Sequence, residues 1–327
     1  MLVILTNMNF LTRTLMGVSV AVPMMVSGAY AAATWETDLE TGLNAAKAEN
    51  RPVLVEFTGS DWCPPCKMLK KVNLNTPEFE KFVADNKMVL VELDFPRTPG
   101  AIPQELMRLR EDIMRKYTVS GFPTVLVMNA NGETFARIVS FRKEVSEYIN
   151  LLKAGVDAKA QLEKDLHAAA GLTGEQKATA LNEALKKLPK SEQGFHKDLI
   201  KEIAKMDTND KFGYGKKLKE VEQMAAQMKQ FEDLATKYRS KITKEDLANS
   251  RAEIFKILEN KEILPIMRLK YNKVISDSYS LEGDYQKAAD YLKKAIDSAP
   301  DTRDAKKLQP WYDNFINNIL PHQQQKK

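Results

Sequence analysis

The sequence predicts an α/β layered domain over roughly the first half of the chain and an all-α domain over the second. Two observations carry this. Up to about residue 155, short β-branched runs alternate with helical segments; beyond it the β-branched runs stop and charged, alanine-rich stretches with a 3.6-residue period take over. A third observation fixes attention on one place: the only two cysteines, Cys63 and Cys66, stand between a predicted strand and a predicted helix.

Taken in order, residues 1–33 hold a single charged residue, Arg13, ahead of an apolar run from Leu15 to Val26. Small residues follow, and Ala29-Tyr30-Ala31 fits the A-x-A cleavage rule. The segment reads as a cleaved signal peptide, cut after Ala31 or Ala33, and the protein as exported to the periplasm. A start at Met8 shortens the n-region only. The run is broken by Pro23 and is short for a membrane span.

Residues 34–50 read as a helix, with Leu39, Leu43 and Ala46 on one face. Pro52 to Phe57 is a buried strand carrying one acid, Glu56. The helix opened by the cysteine pair places Met68, Leu69 and Val72 on its apolar side, and a short helix follows at 77–85. Met88 to Asp94 is a second strand. Phe95 to Pro103 is a proline-rich loop. Gln104 to Tyr117 is helical, with Leu106, Leu109, Ile113 and Met114 inward. Thr124 to Met128 is a third strand, Asn131-Gly132 a hairpin turn, and 133–139 a fourth strand. A helix over 143–153 completes the unit, giving the order β-α-β-α-β-β-α after the leading helix.

In the second half, six to eight helices are expected. Leu162 and Leu166; Leu181, Leu185 and Leu188; and Leu199, Ile203 and Met206 mark successive apolar stripes. Val221, Met224, Met228, Phe231 and Leu234 form a longer one, read as core. The boundaries are thus 1–33 signal peptide, 34–155 α/β domain, 156–320 helical domain and 321–327 disordered tail.

Composition narrows the function. The 327 residues are 43% hydrophobic with net charge +5, a mild excess with no clustered basic stripe, so nucleic acid is not an expected partner. One C-x-x-C closes almost no loop and stabilises little, so the pair is chemical in role rather than structural. A zinc site needs four ligands; there is no second cysteine pair, and His167, His196 and His322 are isolated, so no metal and no cofactor is expected. At a helix N-terminus the thiolate of Cys63 is favoured, making it the exposed nucleophile. Cys66, one turn on, is the shielded resolving thiol, and Pro64 and Pro65 sit in the first turn, where a missing N–H costs little.

Thr58 to Lys67, T-G-S-D-W-C-P-P-C-K, with the preceding P-V-L-V-E-F and the later G-F-P-T at 121–124, resembles the thioredoxin superfamily over residues 35–155. The S-D-W-C form and the later L-D-F-P resemble a bacterial exported thioredoxin-like group; W-C-P-P-C alone also resembles tryparedoxins and nucleoredoxins. The resemblance implies an α/β thioredoxin fold and a thiol–disulfide oxidoreductase. It implies that Pro123 is the cis-proline beside the cysteines, exposing the Phe122 backbone for β-like pairing with substrate. It also implies that Glu56 is the buried acid serving the second cysteine. Glu56 stands where thioredoxins usually have Asp, with one extra residue before the motif. Trp62 falls on the rim where substrate docks, or packs as plain core.

Residues 271–300 resemble one tetratricopeptide repeat, with Tyr279, Gly283, Tyr285, Ala288, Ala295 and Pro300 at its spacings. The helical domain is then either a protein-binding surface or passive packing. The expected activity is exchange of protein disulfides in the cell envelope, the reductase or isomerase direction ahead of oxidation, fed by a membrane or soluble electron donor. The alternative is a helical-repeat adaptor using its thioredoxin-like domain for recognition. A dimeric isomerase needs a dimerisation element, and no heptad run is evident.

Overall fold

The computed structural model describes residues 34–239 and 243–324. The expected signal peptide, 1–33, lies outside the described residues. The chain divides into two compact units after Ala160.

The first unit is built on a five-stranded sheet in the order β1-β3-β2-β4-β5. Its strands are β1 (Trp35–Glu36), β2 (Val53–Thr58), β3 (Val89–Asp94), β4 (Thr124–Met128) and β5 (Thr134–Val139). The helices are α1 (Leu39–Lys47), α2 (Pro64–Leu69), α3 (Pro77–Asp85), α4 (Gln104–Lys116) and α5 (Val145–Ala169), with a π-helical turn over Lys70–Leu74 after α2. β1 and β2 run parallel to β3; β4 runs antiparallel to both β2 and β5. Central β2 is buried along its whole length, which its unbroken apolar run anticipates. Leu54, Leu69, Phe79, Leu90, Val125 and Leu152 belong to one core cluster.

In this first unit, four features of the elements and their packing depart from the sequence reading. The stretch expected as one leading helix begins with β1, paired at Trp35–Leu90 and Glu36–Val91. Two residues are too few to show a period-2 signal, and α1 starts only after Asp38, whose carboxylate accepts from the Thr41 N–H at 2.7 Å. In α2, Met68 turns outward and is 39% exposed. In α4, Leu109 is exposed and Arg110 is the buried residue. Its guanidinium donates to the carbonyls of Asp94 (2.5 Å) and Thr37 (3.1 Å), so two strand-end carbonyls draw in a cation where an apolar side chain is expected. Finally, α5 runs on to Ala169, past the expected boundary at 155.

The second unit is all-α. Among the described residues it holds the end of α5 and nine further α-helices, more than the six to eight expected, because short helical turns separate the longer ones. These are α6 (Gly174–Lys186), α7 (Lys190–Gln193), α8 (Lys197–Met206), α9 (Tyr214–Tyr238), α10 (Lys244–Leu258), α11 (Pro265–Leu281), α12 (Tyr285–Ser298), α13 (Arg303–Asn314) and α14 (Leu320–Gln324). Leu234, Ile254, Met267, Tyr271 and Ile275 form a core, with Met224, Met228 and Phe231 packed against it. Val221, expected on the same buried stripe, is 59% exposed. The disordered tail expected from 321 is helical to Gln324. A π-helical segment, Phe315–Ile319, joins α13 to α14, so the last turn extends an existing helix without a new nucleation cost. Residues 325–327 lie outside the described residues.

Candidate redox site

Strand β2 ends at Thr58, and the chain then turns through Gly59 to Trp62 before α2 begins. Cys63 is the N-cap of α2, with extended backbone. Its carbonyl accepts from the N–H groups of Cys66 (3.1 Å) and Lys67 (3.2 Å), and its sulfur accepts from the Cys66 N–H at 3.3 Å. Pro64 and Pro65 fill the first turn, where the helix has no partner for an N–H. Cys63 and Cys66 are joined as a disulfide. In this closed disulfide Cys63 and Cys66 are both enclosed, at 3% and 1% exposure; the contrast expected between them concerns the free thiols.

The loop leading to Cys63 is stitched to the segment after β3. The Ser60 amide and hydroxyl donate to the Asp94 carboxylate at 2.8 and 2.6 Å. Asp61 accepts from the amides of Arg97 (3.1 Å) and Thr98 (2.8 Å) and from the Thr98 hydroxyl (2.6 Å). These bonds, the Thr98 hydroxyl foremost, hold the Asp61 carboxyl down at about 2. Trp62 donates through Nε1 to the Phe95 carbonyl at 2.7 Å. Its ring lies so close to Gly59 that a Cβ there meets it at 2.5 Å, so only glycine fits. Trp62 meets Phe122 edge-on at 5.7 Å, and Phe122 packs on Phe95 at 5.1 Å. The Phe122–Pro123 peptide is cis, and Pro123 is buried while Phe122 is partly open.

Glu56 lies on β2 with no exposed surface. It is paired in register with Glu92 on β3 and Val125 on β4. Neither of its carboxylate oxygens has a hydrogen-bond partner. Burial pushes its pKa up to about 7. Lys70, in the turn after α2, pulls the other way, while the charges of Glu92 and Asp94 add to the rise. Thr58, close by, also favours the charge, without reaching hydrogen-bond geometry. Lys70 is itself ion-paired with Glu92. Tyr148, on α5, is buried with its hydroxyl unpartnered; desolvation, then the Glu56 charge, raises its pKa.

Sequence reasoning did not find Lys70, Asn73, Arg97 or Tyr148. The last is signalled only by being a tyrosine among apolar positions. Asn73, fully buried, ties the π-helical turn to the segment before α5: it donates to the Arg142 carbonyl at 3.1 Å and accepts from the Arg142 N–H at 3.0 Å.

A family model described as Thioredoxin-like matches residues 34–130. The "Disulfide bond reductase DsbH" of Chlamydia pneumoniae is 34% identical over 104 residues, which is 32% of this chain and 61% of the relative. The "Thioredoxin-related protein DsbJ" of the same organism is 29% identical over 110 residues, 34% of this chain and 31% of the relative. The chain therefore spans less than two thirds of either curated relative. Among solved structures, a DsbH oxidoreductase is 30% identical, covering 38% of this chain and 86% of that one, with a TM-score of 0.33. The oxidised C-terminal domain of Neisseria meningitidis DsbD is 21% identical, covering 37% and 99%, with a TM-score of 0.30. With a parallel–antiparallel sheet, a C-x-x-C disulfide at the start of α2 and this family match over residues 34–130, the unit that ends at Ala160 holds a domain of the thioredoxin superfamily, and the described residues beyond it are all-helical.

Proposed function

We propose that the protein is a thiol–disulfide oxidoreductase that reduces or isomerises disulfides of client proteins. The observation that carries this reading is the Cys63–Cys66 disulfide at the N-terminus of α2, in a domain whose central strand β2 holds a fully buried carboxylate, Glu56, with its pKa raised to about 7. The reductase name of the 34% identical relative supports the reductive direction.

In the reduced protein the Cys63 thiolate attacks one sulfur of a client disulfide. A mixed disulfide forms, and the first client thiolate leaves. The Cys66 N–H, which reaches the Cys63 sulfur in the oxidised state, stabilises that anion at the helix end. Cys66 then loses its proton and attacks Cys63; the second client thiolate leaves, and the Cys63–Cys66 disulfide closes. Two electrons have passed to the client, and a dithiol donor, membrane-bound or soluble, must restore the pair. Glu56 is the proposed acceptor of the Cys66 proton: a carboxyl near pKa 7 changes protonation easily at neutral pH. Trp62, Phe122 and Pro123 are the proposed docking rim, with the client strand running along the Phe122 backbone.

Export to the periplasm after cleavage at Ala31 or Ala33 belongs to the same proposal, supported by the apolar run and A-x-A pattern of residues 1–33. In the helical region, the tetratricopeptide reading of 271–300 is supported by Gly283, whose φ of +82° turns the chain from α11 to α12. It is also supported by buried Ala288 and Ala295 on α12, and by the Ser276 hydroxyl donating to the Ala288 carbonyl at 2.7 Å. Such a hairpin is a surface for a protein partner.

A Cys66→Ser variant tests the assignment of roles. It lacks the resolving thiol, so it accumulates mixed disulfides with envelope proteins through Cys63, resolved on non-reducing gels. Cys63→Ser accumulates far fewer. Equal trapping by the two variants, or none by either, overturns the assignment.

A further inference from the structure

The rim beside Cys63 carries a cation in an unusual state. The Arg97 guanidinium lies 3.7 Å from the centroid of the Trp62 ring, a stacked cation–π contact. Both partners are fixed. Trp62 is held by its bond to the Phe95 carbonyl, by Gly59 beneath it and by Phe122 at its edge. The Arg97 backbone is held by its amide on Asp61.

Stacking uses the face of a guanidinium and leaves its N–H edge free. Among the described residues, no carboxylate stands within ion-pairing distance of that edge, and no acceptor takes its N–H groups. The two acids of this rim are occupied elsewhere. Asp61 is taken by the amides of Arg97 and Thr98 and by the Thr98 hydroxyl, Asp94 by Ser60. Asp61 offsets part of the local field but, among the described residues, makes no ion pair with the guanidinium. Lys67, on α2, adds a second exposed cation here, its Nζ donating to the Asp61 carbonyl at 3.0 Å.

We propose that Arg97, stacked on Trp62, is a specificity-determining residue that receives a carboxylate side chain of the client polypeptide close to its reacting cysteine, so that disulfides flanked by Asp or Glu are preferred. The proposal rests on the oxidoreductase reading and on Trp62 lying at the docking rim. A charge-assisted bond to a donor already immobilised costs little ordering at the moment of docking. The same cation repels a client lysine, so discrimination has an attractive and a repulsive part.

The test uses the full chain, reduced with dithiothreitol, and three peptide disulfides that differ only at the residue two positions from the cysteine: Glu, Gln or Lys. The expected order of kcat/KM is Glu, then Gln, then Lys, with about fivefold or more between the ends at low ionic strength and less at about 0.5 M salt. Arg97→Gln brings the Glu-to-Lys ratio close to one, and Arg97→Lys keeps part of it. A ratio is read because a merely displaced Trp62 slows all three peptides alike. Equal turnover of the three by the unaltered protein, or an unchanged ratio in Arg97→Gln, overturns the proposal and leaves the oxidoreductase reading standing. If no peptide is reduced, it is the oxidoreductase reading that falls. Calorimetric binding of the same Glu and Lys peptides with serine for cysteine then decides the Arg97 proposal by itself: tighter binding of the Glu form supports it, and equal binding sinks it.

Discussion

A carboxylate with two unpartnered oxygens in the middle of a central strand is a cost to the fold, and Glu56 makes that cost measurable. Desolvation raises its pKa from 4.5 to about 7, so the folded protein holds the proton more tightly than the unfolded chain. The sign follows: the cost of ionisation is absent below the unfolded pKa, and stability falls as pH rises from there to the folded value. Between pH 4.5 and pH 8 the oxidised protein should lose about 3 kcal/mol on account of this residue alone, an order-of-magnitude figure from the size of the shift. Glu56→Gln should remove that slope. Denaturant unfolding at both pH values checks this, with the variant more stable at pH 8 and near parity at pH 4.5. A variant as pH-sensitive as the parent would mean that Glu56 is already satisfied. This residue was legible in the sequence because an acid interrupting an apolar strand is a local anomaly. Arg110 and Arg97 were not. A buried arginine on a helix and a stacked one in a proline-rich loop look like ordinary surface charges until the carbonyls of Thr37 and Asp94, or the ring of Trp62, are brought to them.

At the scale of elements, β2, β3, β4 and β5 and the helices between them follow from runs of apolar residues bounded by turn residues, and those elements stand close to where periodicity places them. What escaped is what depends on partners distant in sequence. β1 exists because Trp35 and Glu36 find the edge of β3, and the π-helical turn after α2 is closed by Asn73 reaching Arg142 across 69 positions. That single amide holds the exit of the redox helix to the segment entering α5. Asn73→Ala should therefore cost about 2 kcal/mol, because it strands backbone groups that water reaches poorly. Urea unfolding of the oxidised protein reads the loss, and a change under about 0.5 kcal/mol would mean that solvent replaces the amide without difficulty. The helix count of the second unit was underestimated for a related reason. A short helix such as α7, four residues long, has no full period to reveal it.

On the scale of the whole molecule, every group assigned to the chemistry or to docking, from Glu56 to Pro123, lies in the unit that ends at Ala160. The sequence placed the change of character at 155, where β-branched runs stop, but α5 continues unbroken through that point. Leu152 belongs to the sheet's core cluster and Val156 packs against it, so a cut at 155 removes part of the helix's own inner face. A fragment of residues 34–160 should therefore fold and reduce a small disulfide substrate such as insulin at a rate close to that of the full chain. It has about 130 residues, within the usual size of an independent domain. Ending at 155 should yield a less stable fragment, because residues 156–160 of α5 are lost, and with them Val156, which packs against the core. The comparison is thermal unfolding of the two fragments together with their insulin reduction rates. Equal stability would mean that residues 156–160 add nothing to the first core. An insoluble 34–160 fragment would mean that residues beyond 160 complete it. With Cys66→Ser in both the fragment and the full chain, a difference in which envelope proteins are trapped assigns partner recognition to the helical region, and identical traps leave it without that role.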